Sequence, residues 1–166
     1  MAGITVGPAE TEAAQAALRS AKALFPEVLE GRSHFVYLGA GPLYGVAAEG
    51  SIKVQEMSLS YAQAYYTMEY RHGPISLVDD KTFAVLLYGE ETREEEARVA
   101  EEISQKGGRV LGLGGPGDFS IDVGGNPVTR ALVALPVLQI MGERAAGLRA
   151  IDTSAPRHLN KVVVLA

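Results

Sequence analysis

The sequence predicts an α/β fold, a three-layer α/β/α sandwich built around a mostly parallel sheet. Two observations predict it. Several short, continuously apolar runs end in glycine turns, and helical patterns separate these runs along the chain. A strand that is covered on both faces reads as a continuous apolar run, and strands that alternate with helices form parallel sheets.

Composition limits the kinds of protein to which the chain can belong. Its 166 residues suit one domain, and the hydrophobic fraction of 47% and charged fraction of 21% are typical of globular proteins. A net charge of −5 gives no electrostatic footprint for nucleic acid or an anionic membrane. The absence of cysteine excludes disulfides, cysteine zinc sites and a thiol nucleophile. We find no apolar run long enough to cross a bilayer and no signal peptide, so we expect a cytoplasmic protein without membrane or nucleic-acid partners.

The first half of the chain contains two predicted helices and two predicted strands. Residues 10–25 are alanine-rich with helical spacing, and residues 34–38 read as a buried strand that runs into a glycine turn. The helical pattern that follows extends from Gly45 to about Tyr61. Residues 82–89 then form a second buried strand.

The second half continues the alternation. Residues 91–108 form a charged helix, exposed to solvent, that ends at a glycine pair. Residues 109–115 and 119–125 read as a third strand and a short fourth one. A long apolar helix at 128–148 is expected in the core or at a subunit interface, and residues 161–166, KVVVLA, form a terminal strand.

The glycine turn after the first strand, LGAGPLYG, lies where ligands bind in parallel α/β sheets, outside the carboxyl ends of the strands. Its glycines would let backbone amides approach an anion at the next helix. The spacing G-x-G-x-x-x-G is one residue longer than the dinucleotide fingerprint, and no clear acidic partner follows about 20 residues on. The pattern therefore does not favour nicotinamide binding, and a purely structural strand-to-helix turn stays open.

The helix after this turn carries a stripe of ionisable residues. At about 100° per residue, Glu49, Lys53 and Glu56 share one narrow face of the helix, with apolar residues on both sides of it. The weakly polar residues Ser51 and Ser58 lie on the opposite face. A solvated helix would centre its charges on its polar face. We therefore expect the charged stripe to point toward the protein or a cleft, although an exposed Glu49–Lys53 pair is the structural alternative.

The segment EYRHGP, residues 69–74, combines an acid, two bases and a Gly-Pro stop. Glycine and proline after His72 end any helical turn there. A histidine near a helix C-terminus is also a common stabilising device, so a structural role for His72 stays open.

Four motifs in order resemble the sugar isomerase (SIS) domain family: GAGPLYGVAAEG, KVQE, EYRHGP and APRHLNKVVVL. The resemblance is to the second SIS domain of the isomerase half of glutamine–fructose-6-phosphate aminotransferase and to related glucosamine-6-phosphate deaminases. It runs from about residue 34 to the end of the chain. It implies a flavodoxin-like SIS core over 34–166, preceded by a helical lead-in at 1–33, with neither a cofactor nor a metal.

The resemblance also implies residue roles in aldose–ketose isomerisation. Glu56 would be the base that moves a proton between C1 and C2 of an open-chain sugar, and Lys53 would stabilise the enediol. His72 would help to open the sugar ring, and in the family this histidine can reach a neighbouring subunit's site. Lys161 would contact the sugar carbonyl, and a Schiff base is one form that this contact can take. The remaining predicted substrate-binding residues in the matched motifs are Gly39, Gly41, Glu49 and Glu69.

Two family features are missing from the sequence. A Ser-x-Ser-Gly-x-(Ser/Thr) phosphate-binding loop is absent, and so is a glutaminase domain with its N-terminal cysteine. The chain therefore resembles the C-terminal half of a protein with two SIS domains, and we expect it to bind a sugar phosphate as a homodimer or beside another SIS domain. Two functions stay open: an isomerase, aminotransferase or deaminase, and a non-catalytic module that binds a sugar phosphate or dimerises.

Overall fold

The computed structural model describes residues 6–124, 127–155 and 157–158, and only the backbone of residues 127 and 128. Its sheet has five parallel strands in the order β2-β1-β3-β4-β5. The strands are β1 (His34–Gly39), β2 (Tyr61–Tyr66), β3 (Thr82–Leu87), β4 (Arg109–Leu113) and β5 (Phe119–Ile121). This is the doubly wound, flavodoxin-like order, and its switch point lies between β1 and β3.

Helices cover both faces of the sheet, which confirms the predicted three layers. They are α1 (Pro8–Val28), α2 (Leu43–Ser58), α3 (Arg93–Gln105) and α4 (Pro127–Leu148), with short 3-10 helices at Glu69–Arg71 and Pro74–Leu77. Helices α1, α2 and α4 share one core with one face of the sheet, and α3 packs on the other face. Since Ala17, Ala21 and Phe25 of α1 are buried in that first core, α1 is an integral part of the domain.

The central strands show why the apolar runs of the sequence predict strands. Along β1, Phe35 and Tyr37 face the core formed with α1, α2 and α4, whereas Val36 and Leu38 face the core formed with α3. Every residue of β3 is buried. Successive side chains of a strand point to opposite faces of the sheet, so a strand that is buried on both faces needs apolar residues at every position. This requirement gives the continuous apolar pattern.

Two glycines allow α2 and α4 to pack closely. A Cβ atom at Gly50 of α2 would lie 2.7 Å from Leu138 Cδ1 and 2.8 Å from Tyr37 Cε1. A Cβ atom at Gly142 of α4 would lie 3.2 Å from the carbonyl oxygen of Lys53. The backbone of the charged stripe on α2 is thus fixed by direct contact with α4.

The predicted helix from Gly45 to about Tyr61 is wrong at its C-terminal end. Helix α2 ends at Ser58, because Leu59 adopts the left-handed conformation with φ of 52° and turns the chain into β2. Strand β2 gave no clear pattern in the sequence, since it lies at the edge of the described sheet and only Ala62 among its residues is buried. Edge strands do not need the apolar residues that identify a central strand.

The apolar helix predicted at 128–148 is confirmed, but the statement that no apolar run could cross a bilayer is wrong. Residues Thr129–Leu148 are long and apolar enough to do so by length and composition. In the structure, buried residues of this segment such as Val137, Leu138 and Met141 join the core shared with α1 and α2. The segment is therefore packed as a core helix. The terminal strand predicted at 161–166 lies outside the described residues.

Candidate active site

The charged stripe of α2 forms a three-residue cluster around Lys53. The Lys53 ammonium donates a hydrogen bond of 2.8 Å to Glu56 Oε2, and its Nζ lies 3.4 Å from Glu49 Oε1. The helix brings the three together because they are spaced i, i+3 and i+4 on one face. The side chain of Lys53 is 26% exposed, and those of Glu49 and Glu56 are 40% and 41% exposed. Both carboxylates can therefore be reached from solvent.

The hydrogen bond from Lys53 to Glu56 raises the pKa of the lysine, and the charge attraction of Glu56 and Glu49 adds to it, while partial burial opposes the rise. Lys53 is therefore an ammonium ion at neutral pH. Two carboxylates beside one ammonium leave a net negative charge in the cluster. This arrangement can remove a proton from a carbon acid and stabilise the negative charge that develops.

The interpretation of the opposite helix face was wrong. Ser51 and Ser58 were expected to point away from the protein, yet both are buried. Their hydroxyl groups donate to the carbonyl oxygens of Ala48 and Val54, so no hydrogen bond is lost on burial. The charged stripe lies at the half-exposed border of α2 rather than in the interior, which leaves it open to a ligand or a partner domain.

The EYRHGP segment is a short 3-10 helix, Glu69–Arg71, that ends at His72 as the Gly-Pro stop predicts. Tyr70 is buried, and Arg71 makes two hydrogen bonds, of 3.1 and 2.6 Å, to the carboxylate of Glu102 on α3. These contacts hold the segment against the domain. Glu69 and His72 remain exposed and free to face a ligand or another chain.

Glu56 and His72 lie at opposite ends of β2. Glu56 lies in the last turn of α2, just before β2 begins at Tyr61, whereas His72 follows the end of β2 at Tyr66. Six residues of strand correspond to roughly 20 Å. The structure therefore groups Glu49 and Lys53 with Glu56, and it places Glu69 and His72 elsewhere on the same chain.

Gly39 and Gly41 have backbone reasons to be glycine. A Cβ atom at Gly39 would lie 2.7 Å from the carbonyl oxygen of Leu43, and Gly41 has φ of +51°. Both glycines make the tight turn from β1 into α2. Their predicted role in substrate binding stays a prediction, and so does that of Lys161, which lies outside the described residues.

A cleft of about 310 Å³ opens at the switch point between the turns that follow β1 and β3. The β3 side contributes Glu90, Glu91 and Thr92, a feature that the sequence interpretation missed although YGEET directly follows a buried strand. Arg130 lies 3.7 Å from Glu90 in an ion pair. The two glutamates disfavour an anion, which agrees with the missing serine-rich phosphate loop. Among the described residues, no group of three His, Asp or Glu side chains could hold a metal ion.

The fold and the cluster define a doubly wound α/β domain that presents a carboxylate–ammonium–carboxylate group on the helix after its first strand. Within this class the chain belongs to the SIS domain family, whose family model matches residues 29–120. This finding confirms the resemblance to the SIS family, and the matched residues contain the first three of the four motifs.

Individual relatives agree with this assignment. Glutamine–fructose-6-phosphate aminotransferase of Caulobacter vibrioides is 31% identical over 141 residues, which cover 78% of this chain and 23% of that protein. The structure of glucosamine-6-phosphate deaminase from Thermotoga maritima shares 34% identity with a TM-score of 0.79, over 94% of this chain and 47% of that one. The structure of tagatose-6-phosphate ketose/aldose isomerase from Escherichia coli shares 26% identity with a TM-score of 0.70, over 82% of this chain and 42% of that one. The chain thus spans about a quarter of the curated relatives that it matches and less than half of these solved structures.

Proposed function

We propose that this chain is the catalytic half of a phosphosugar isomerase-type enzyme. Its substrate is an amino-sugar or hexose 6-phosphate, and the aldose–ketose isomerisation is coupled to amination or deamination. The observation that carries the proposal is the contact of 2.8 Å between Lys53 Nζ and Glu56 Oε2 on a surface that a ligand can reach. The relatives' names, an aminotransferase, a deaminase and a ketose/aldose isomerase, support the substrate class.

In this mechanism the Glu56 carboxylate removes the proton from the carbon next to the sugar carbonyl. The electron pair of the broken C–H bond forms the enediol, and the Lys53 ammonium stabilises the negative charge that develops on its oxygen. Glu56 then returns the proton to the neighbouring carbon, while the proton of the adjacent hydroxyl group passes to the former carbonyl oxygen, so that the sugar neither gains nor loses a proton overall. Glu49 holds the other side of Lys53 and keeps it charged between the two carboxylates.

The proposed site needs a second SIS domain. The switch-point cleft of this chain carries Glu90 and Glu91 where a phosphate would need hydrogen-bond donors and positive charge. His72 is separated from Glu56 by the length of β2, which fits a histidine that serves a neighbouring site. We therefore propose that the chain is the second half of a two-domain SIS protein, or pairs with another copy, in the cytoplasm.

The test compares Glu56→Gln with wild type, using the chain alone and the chain paired with an SIS domain that has the phosphate loop. The amide keeps the shape of the side chain but removes the base. Turnover of hexose 6-phosphate should fall by about two to four orders of magnitude, the usual share of one general base. Binding should change only a few fold, because phosphate contacts lie on the partner domain.

Glu95→Gln, at an exposed position on α3, is the matched control and should have no effect. Equal turnover in Glu56→Gln and wild type would refute the role of Glu56. Tight binding of the sugar phosphate without any turnover by the wild type would favour the non-catalytic binding module instead.

A further inference from the structure

The segment EYRHGP is held to the domain by two anchors of different kinds. The first is the Tyr70 ring, which is buried in the core formed with α3 and lies 5.4 Å from the Tyr65 ring, centroid to centroid. The Tyr70 hydroxyl group has no hydrogen-bond partner among the described residues, so this anchor consists of apolar contact alone. Apolar contact is non-directional, and it therefore holds the segment on the domain without fixing its orientation.

The second anchor is directional. Arg71 donates from two guanidinium nitrogens, Nε at 3.1 Å and Nη2 at 2.6 Å, to the two carboxylate oxygens of Glu102 on α3. A bidentate pair of this kind fixes the angle between the two side chains as well as their distance. Because these side chains are 47% and 34% exposed, the pair contributes little to folding. Its main structural effect is therefore to orient the segment.

His72 follows Arg71 directly and shares its backbone. The His72 amide donates to the carbonyl oxygen of Glu69 at 3.0 Å, which closes the short 3-10 helix. Such a helix has three residues per turn, so successive side chains lie about 120° apart and residues three apart fall on the same side. Glu69 and His72 therefore share one side of the helix, different from the side of Arg71, and both are exposed.

We infer that Arg71 is a positioning residue, which through its ion pair with Glu102 fixes the direction in which His72 faces a ligand or a neighbouring chain. The orientation of the segment does not depend on the reaction. Its consequence for turnover rests on the proposed function, in which His72 serves a neighbouring site. A histidine that reaches a second chain needs this support, because a small displacement of a catalytic group slows the reaction strongly.

Backbone ¹⁵N relaxation of the substrate-free chain tests the orientation. The N–H order parameter of His72 should be that of a rigid backbone, about 0.85, in the wild type, and it should fall toward about 0.6 in Arg71→Met and in Glu102→Gln. The order parameters of β3 should stay the same, which shows that the variants are folded. Equal order parameters of His72 in the wild type and both variants would overturn the inference, whether or not the protein turns over a sugar phosphate.

Steady-state kinetics of the assembled protein with a hexose 6-phosphate test the consequence for turnover. Arg71→Met should lower kcat about tenfold or more and change KM less, because misplacing a catalytic group by about 1 Å can cost about 100-fold. Measured on the residual turnover of His72→Ala, the same substitution should lower kcat no further. A purely structural role would lower kcat by the same factor in both backgrounds, and that result would overturn the inference.

Lys81→Met is the matched control, since it removes an exposed ion pair of 3.3 Å with Asp80, just before β3 begins. It should change neither the order parameter of His72 nor kcat. Full turnover of Arg71→Met beside an inactive His72→Ala would overturn this inference and leave the proposed function standing. No turnover by the assembled wild type would instead refute the proposed function, and the order parameters would still decide whether Arg71 orients the segment.

Discussion

Lys53 is the residue on which the candidate site depends, because it contacts both carboxylates of the cluster. Its raised pKa means that the ion pair stabilises the fold at neutral pH and weakens only when the pH rises through the raised value. With these side chains a quarter or more exposed, that stabilisation is small. We therefore expect the positive charge of Lys53 to contribute more to the proposed reaction than to folding.

Replacement of Lys53 by glutamine should separate these two roles. Turnover should fall about 10²–10³-fold, the cost of removing one donor to a developing negative charge. The free energy of unfolding should change by less than about 1 kcal/mol. Steady-state kinetics and denaturant unfolding measure the two effects. The control, Lys106→Gln at the exposed end of α3, should change neither turnover nor the free energy of unfolding. If Lys53→Gln keeps full turnover, Lys53 has no role in the mechanism.

Whether the sequence predicts a strand depends on how much of that strand is buried. β1 and β3 were predicted because both their faces are buried, and α2 because its spacing is helical until Leu59 adopts the left-handed conformation. β2 was missed because its position at the edge removes the apolar pattern. The spacing of Glu49, Lys53 and Glu56 predicted their cluster. The acidic cleft beside Glu90 lies between the turns that follow β1 and β3. These turns are far apart in sequence, so residue spacing does not predict the cleft.

The close packing of α2 on α4 predicts opposite effects for two glycines of the same helix. Gly50→Ala should destabilise the domain by about 1–3 kcal/mol, because its Cβ would overlap Leu138 and Tyr37. Gly45→Ala meets nothing within 4 Å and should stabilise α2 by up to about 1 kcal/mol. Urea denaturation measures both. A neutral Gly50→Ala would mean that the helices are not in direct contact at this point.

In the whole molecule, Glu56 and His72 lie at opposite ends of β2, and the proposed function therefore predicts sites that are completed by two chains or domains. If each His72 serves a neighbour's Glu56 in a symmetric dimer, Glu56→Gln and His72→Ala are each inactive alone. An equal mixture that exchanges subunits should recover about a quarter of the wild-type activity, because half of the dimers are mixed and each has one intact site. If mass spectrometry shows subunit exchange but no activity returns, either both residues belong to the site of one chain or His72 does not belong to the site.

If Glu56 moves a proton on the sugar, the hydrogen at C2 of a hexose 6-phosphate should exchange with solvent during turnover. The assembled wild-type protein is incubated with the sugar phosphate in deuterated water, and deuterium at C2 is followed by NMR. Deuterium should enter C2 with wild type, whereas Glu56→Gln should bind the sugar phosphate but exchange the C2 hydrogen about two to four orders of magnitude more slowly. Tight binding by the wild type with no exchange at C2 would rule out proton transfer by Glu56 and identify the chain as a sugar-phosphate-binding module.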